Sequence, residues 1–315
     1  RRLPFQLITS SHGGPGLPRA KPHLLPTFYL PDAQGQLQAV TDSTPLIRRF
    51  EAEFSGRSVM PSSPALALID ALLEDFADEW LTKAMFHYRW SYAPDIDKAG
   101  RILATWLQPL ACDEELRQMA DWVSTRQIER LRFVGSNPQT TPIIEAGYQR
   151  VLQAMEAHLR EHRFMMGARP GSCDFGLYGQ LTQLVQFDPT PMAVAVALAP
   201  RVCGWVAVAE DLSGLEVSDA CWLAGDALPA TLSALLREVG RLYAPLLVAN
   251  AHALQAGQAQ FSTPVDGETW SQQVFPYQAK CLMWLRRDYQ ALAQGERQRV
   301  DQWLQGTGCE VLFRD

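Results

Sequence analysis

From Pro64 onward apolar side chains recur every three or four residues through most of the chain, whereas before residue 60 they do so in one short stretch. That spacing lays an apolar stripe along an α-helix and is wrong for a strand, whose faces alternate every second residue. The clearest stripe is Ile69, Leu73, Phe76, Trp80, Ala84 and Tyr88, in a helix expected over 64–88. Glu74, Asp75, Asp78 and Glu79 put acidity around its other faces. Further periodic segments are Leu103–Trp106, Leu116–Leu131 and Val151–Phe164. Asp174–Val185 repeats Phe175, Tyr178, Leu181 and Leu184 and is apolar on most sides, which places it deep in a bundle. Two longer helices are expected over Leu228–Leu254 and Tyr277–Leu304, with a loop or small hairpin at Phe261–Phe275 between them.

The first sixty residues have another texture. Phe5–Thr9 is a short extended candidate, followed by a Gly/Pro-rich segment, Ser10–Pro26. Thr27–Leu30 and Leu37–Val40 read as two strands joined by a turn at Asp32–Gly35. Asp42-Ser43-Thr44-Pro45 opens a helix, with a hydroxyl as cap and proline in the first turn, and Gly56 ends it. The organisation expected is a small α/β unit over 1–57, a linker at 58–63 and an all-helical domain over 64–315.

At roughly 150 residues per domain, 315 residues suit two domains. The net charge of −6 and the lack of a long Lys/Arg block argue against a nonspecific nucleic-acid binder. Six cysteines without a CxxC pair make neither a disulfide scaffold nor a zinc quartet, so a reducing, cytoplasmic setting is expected. The most apolar stretch, Pro191–Ala209, is interrupted by Pro200, Arg201 and Gly204, and reads as buried helix and turn rather than a membrane span. No secretion signal stands at the given start.

Four pieces in order resemble the glutathione S-transferase superfamily. Leu24-Leu25-Pro26-Thr27 is similar to its cis-proline loop, and Asp42-Ser43-Thr44 to the acidic-Ser-Thr element at the start of its third helix. Ser58-Val59-Met60-Pro61 is similar to the interdomain linker, and residues 166–175, Met166 to Phe175, to the motif introducing the buried core helix. The resemblance runs from Leu3 to about residue 210, and the rest resembles the extended C-terminal region of bacterial homologues. It implies a thioredoxin-like first domain, glutathione as cosubstrate, a homodimer, and transfer of the thiolate to a small apolar electrophile. The family's first strand and helix, which carry the catalytic Tyr, Ser or Cys, have no counterpart here. The catalytic group is therefore expected upstream of Arg1, or else the domain has lost catalysis and the protein is a binding or scaffold module.

On that resemblance, Leu25 and Pro26 offer backbone to glutathione's cysteinyl amide. Ser43 receives its γ-glutamyl carboxylate at a helix N-terminus, where free N–H groups favour an anion, and Asp42 faces the ammonium. Plain helix capping also explains Asp42 and Ser43, and a trans proline before an edge strand also explains Pro26. Trp80, Phe86, Arg89 and Tyr178 are candidates for the wall of an electrophile pocket, with interhelical packing as the alternative. Gly171, where the family has Ser or Thr, and Asp174 form half a capping box with a structural role. His158 and His162 stand four apart without a third ligand, and no metal is expected. His12–Gly16 hints at an oxyanion loop but lacks a G-x-S-x-G partner, so it is expected to be a flexible loop.

Overall fold

The computed structural model describes residues 2–8, 16–22 and 24–314. Thr9, all of Ser10–Pro15 and so the His12–Gly16 loop save its last glycine lie outside the described residues. The chain divides into two units, Arg1–Met60 and Pro61–Asp315.

In the first unit, β1 (Phe28–Pro31) and β2 (Leu37–Val40) form an antiparallel hairpin in the register Phe28↔Val40 to Pro31↔Leu37. Asp32 makes the turn: its Oδ1 accepts from Gln34 N and Gln36 N, both at 2.9 Å. Helix α1 (Ser43–Glu53) follows, with Arg49 donating to Pro31 O at 3.1 Å and Phe50 edge-on to Phe28 at 6.1 Å. The described part of the Phe5–Thr9 candidate, Phe5–Ile8, forms no strand, and Phe5 is 87% exposed. No strand among the described residues pairs with it. The segment after α1 folds back on it, since the Glu51 carboxylate accepts from Val59 N at 3.0 Å and Ser58 Oγ at 2.6 Å. This unit is a small mixed α/β body.

The second unit is helical. Ser63 caps α2 (Pro64–Phe76), and Pro64 fills the first turn, where a missing N–H costs nothing. A π turn over Ala77–Leu81 continues α2 directly into α3 (Thr82–Ser91), so 64–91 is one rod. Then come α4 (Ala93–Leu107), α5 (Asp113–Ile128), α6 (Thr141–His158) and α7 (Ser172–Thr182). Helix α6 starts ten residues before the expected Val151, because Thr140-Thr141-Pro142 is a helix-start signal that its apolar stripe alone does not show. Helices α8 (Pro189–Leu198) and α9 (Pro200–Ala209) meet at 115° across Ala199. Among the described residues no single helix is long and apolar enough to cross a membrane.

The expected 228–254 helix is α10 (Ala230–Glu238), a π turn over Val239–Tyr243 and α11 (Ala244–Gln255). Pro245 has no N–H for a carbonyl in the preceding turn, so the helix widens there. The Phe261–Phe275 segment is a hairpin, β3 (Gln260–Val265) with β4 (Glu268–Gln273). Its two-residue turn, Asp266-Gly267, has φ of 52° and 84°, the left-handed pair whose twist matches antiparallel strands. The expected 277–304 helix breaks into α12 (Pro276–Ala291) and α13 (Gln294–Leu304). Arg297 Nη2 donates to Gln290 O at 2.7 Å and Leu292 O at 3.1 Å, satisfying carbonyls at the end of α12.

One core runs through this unit. The rod contributes Ile69, Leu72, Leu73, Phe76, Trp80 and Ala84, each fully buried. The acidic residues on its other faces are not a solvated face. Glu74 is buried, Asp75 Oδ2 accepts from Tyr243 OH at 2.7 Å, and Glu79 Oε2 accepts from Gln278 Nε2 at 3.0 Å. The last ninety residues cover the side that a shorter bundle would leave wet. Asn250 on α11 closes the C-terminal part, accepting from Phe275 N at 2.7 Å and donating to Phe275 O at 2.9 Å. Asn250→Ala leaves the Phe275 N–H without its acceptor, while the carbonyl keeps the bond from Gln278 N at 3.1 Å, which costs about 1–2 kcal/mol. A urea unfolding series should show that loss, whereas Asn250→Asp, which keeps the acceptor, should lose less.

Candidate functional site

The β1–β2 register sets the geometry of the first unit. Continuing it two residues past Phe28↔Val40 puts Pro26 opposite Asp42, so the Leu25-Pro26 loop and the start of α1 share one end of the hairpin. The Leu25–Pro26 bond is cis. Asp42 occupies the N-cap position of α1 with φ 83° and ψ 114°, a backbone shape that a residue with a Cβ rarely adopts. Its side chain makes no capping bond to the helix, so capping does not account for it. Ser43 is exposed beside it, and Pro45 supplies no N–H to the first turn.

The four wall candidates do not come together. Trp80 is fully buried and stacked on Phe76, ring centres 5.4 Å apart, so it belongs to the core rather than to a pocket wall. Phe86 packs on a smaller cluster of Trp90, Ala99 and Val123. Arg89 is committed internally: its Nε and Nη2 each donate to Asp188 at 2.9 Å, Nη2 donates to Gln183 Oε1 at 2.8 Å, and its guanidinium lies 4.8 Å from the Phe187 ring. Tyr178, on α7, donates its hydroxyl to Glu210.

Gly171 and Asp174 stand at the start of α7. Asp174 Oδ2 accepts from Gly171 N at 2.9 Å and Oδ1 from Met165 N at 3.0 Å. Glycine has no side chain to return the bond, and Asp70 on α2 does so instead. It accepts from Ser172 N at 3.2 Å, Cys173 N at 3.1 Å and the Ser172 hydroxyl. A Cβ at Gly171 would lie 2.2 Å from Asp70 Oδ1. The carboxylate from another helix therefore occupies the space that any side chain at position 171 would fill.

A second polar cluster was not anticipated from sequence. His87 on α3 is 1% exposed, with Nδ1 2.8 Å from Ser136 Oγ and 3.3 Å from Ser91 Oγ. Its Nε2 is 3.3 Å from Glu145 Oε1, and Tyr92 OH donates to the same oxygen. Burial lowers the His87 pKa, partly offset by Glu145. The members lie 49 and 58 residues from His87 along the chain, with no motif linking them. The one available signal was the Thr-Pro start of α6, which places Glu145 in its first turns.

The remaining candidates are occupied. His158 has Thr231 Oγ1 at 2.9 Å on Nδ1 and Phe164 O at 3.2 Å on Nε2, leaving neither nitrogen for a metal. Cys173 is fully buried, and burial raises its thiol pKa well above the ordinary value. Among the described residues no three His, Cys, Asp or Glu side chains converge as a metal would require. No family model, curated protein or solved structure matches the chain.

Burial pushes Asp70 up to about 6 and Asp174 to about 7, from 3.8. The folded chain thus holds protons that the unfolded chain has released. Their contribution to stability is complete below about 4 and is lost as pH rises through 6 to 7. His87 and His158, whose pKa values burial lowers, act in the opposite sense below about 6.5, so the carboxylates are read above it. Burial pushes Asp75 up to about 7 as well, so the urea midpoint should fall from pH 6.5 to 8, and Asp174→Asn should reduce that fall and leave the Asp75 share. A midpoint rising over this range would contradict the assignment. Asp70→Ala, which strands the Ser172 and Cys173 N–H groups while the Ser172 hydroxyl keeps Glu74 Oε2 at 2.9 Å, should cost about 2–4 kcal/mol at pH 7.

Proposed function

We propose that this chain binds glutathione at the end of the β1–β2 hairpin and belongs to transferase-type chemistry, joining the thiolate to a small apolar electrophile. The observation that carries the reading is Asp42: a half-buried acidic residue held at φ 83° opposite the Pro26 loop, without a capping bond to its helix. Backbone held out of its comfortable region costs about 1–3 kcal/mol, and such positions cluster where a ligand is gripped. The γ-glutamyl carboxylate would sit on the Ser43 hydroxyl and the first N–H groups of α1, with the ammonium against Asp42 and the cysteinyl amide on the backbone at Leu25. The electrophile, a homodimer and a cytoplasmic setting belong to the same reading.

The alternative, a glutathione binder without catalysis, has its own support. Trp80 and Arg89 are spent on the core and on Asp188, and supply no wall for an electrophile.

Calorimetric titration of glutathione into the 315-residue chain tests both readings. Saturable binding lost in the double variant Asp42→Ala, Ser43→Ala supports the shared site, and a folded chain that takes up no glutathione at millimolar concentration removes it. Turnover of a chlorodinitrobenzene then separates transferase from binder. Asp42→Gly should relieve the backbone strain and raise stability by up to about 1 kcal/mol while weakening glutathione. A thermal melt beside the titration shows both effects.

A further inference from the structure

The second unit brings a hydroxyl, an imidazole and a carboxylate into one chain of contacts that the glutathione reading does not use. Ser136 Oγ lies 2.8 Å from His87 Nδ1, and His87 Nε2 lies 3.3 Å from Glu145 Oε1. Glu145 can only accept when ionised, so it fixes the imidazole proton on Nε2. Nδ1 is then left with its lone pair toward the serine. Tyr92 OH holds the carboxylate oxygen from the other side. A nucleophile, a base and an orienting acid, supplied by α3, α6 and the loop between α5 and α6, meet the geometric requirement for an activated serine.

We propose that Ser136 is an acylatable nucleophile, with His87 as its general base and Glu145 as the residue positioning that base, acting on small activated esters. Ser136 Oγ adds to the ester carbonyl as its proton passes to His87 Nδ1. The C–O bond to the leaving group then breaks, and the leaving group departs with that proton. Water, deprotonated by the same nitrogen, cleaves the acyl-serine and returns the carboxylic acid and free Ser136.

The local backbone sets the substrate class. Ser136 N–H is bonded to Leu131 O at 3.0 Å, and Asn137 N–H to Thr140 Oγ1 at 3.0 Å, so neither is open to an oxyanion. Among the described residues the second hydroxyl on Nδ1 is that of Ser91, which is exposed, 3.3 Å from Nδ1, and yields that nitrogen to the closer Ser136. With a single donor the site suits esters whose leaving groups are already good, such as aryl esters, and not amides. Ser136 keeps 6% of its surface, so the acyl group must be small.

The test is peptide mapping of the 315-residue chain after reaction with a fluorophosphonate probe, with p-nitrophenyl acetate hydrolysis measured alongside. One label on Ser136 is expected, removed by Ser136→Ala. Glu145→Gln, which no longer fixes the imidazole tautomer, should slow both reactions at least tenfold while circular dichroism stays unchanged. Label on Ser91 or elsewhere, no label on the folded chain, or labelling of Ser136 indifferent to His87→Gln overturns the proposal. The labelled position on the unsubstituted chain decides the matter even if a variant fails to fold. Glutathione binding does not bear on the outcome.

Discussion

The second unit depends on Asp70. Its carboxylate leaves α2 and enters the start of α7, where it takes two backbone N–H groups and one hydroxyl. Helix starts leave N–H groups without partners, and burying one without an acceptor is costly. Asp70 and Asp174 together remove that cost, which lets α7 begin in the interior against the rod; the helix is not buried on most sides as its composition suggests, since Phe175 stays 40% exposed. Without the pair, α7 would have to begin at the surface. The arrangement also explains a composition oddity, glycine at 171, because the acceptor comes from another helix and needs the room.

The same economy appears along the rest of the rod. Lys83 is 3% exposed and donates to Gln272 Oε1 at 3.0 Å, which also accepts from Trp270 Nε1 at 3.3 Å. Burial lowers the lysine pKa to about 8, with Glu79 opposing. Asp75, Glu79 and Lys83 each meet a partner from beyond residue 240. A row of charges that would suit a wet surface is turned inward and matched group by group, and that matching fixes which way the C-terminal helices lie on the rod.

Much of this was legible in the sequence, for identifiable reasons. The 3.6-residue stripes of 64–88 and 174–185 marked helices, and alternation with turn residues marked the β1–β2 hairpin, because both signals are local. Element ends were harder. Pro245 and Leu292 interrupt stripes that continue on either side, and the α6 start is polar. What could not be read was anything set by distant pairing. Glu74 and Asp75 look like solvent-facing residues until Ser172 on α7 and Tyr243 in the C-terminal part are in place. Trp80 and Arg89 look like an aromatic, basic wall until Phe76 and Asp188 claim them. His87, Ser136 and Glu145 carry no pattern in common. In the first unit the candidate residues were visible as a motif, but the backbone shape of Asp42 was not.

The partners of the rod also bear on how the chain reaches this state. Ala65 N–H is held by Glu296 across 231 residues, Glu79 by Gln278 across 199, and Lys83 by Gln272 across 189. Contacts of such span form late, since long loops must close before they can contribute. During synthesis, which delivers the N-terminal parts first, the rod leaves the ribosome with its inward charges still facing water. It can dry on that side only when residues 272–296 follow. A nascent chain stopped short of β4 would hold a half-solvated bundle, so in the cell the arrival of β4 and the helices after it governs when the centre of the molecule becomes solid.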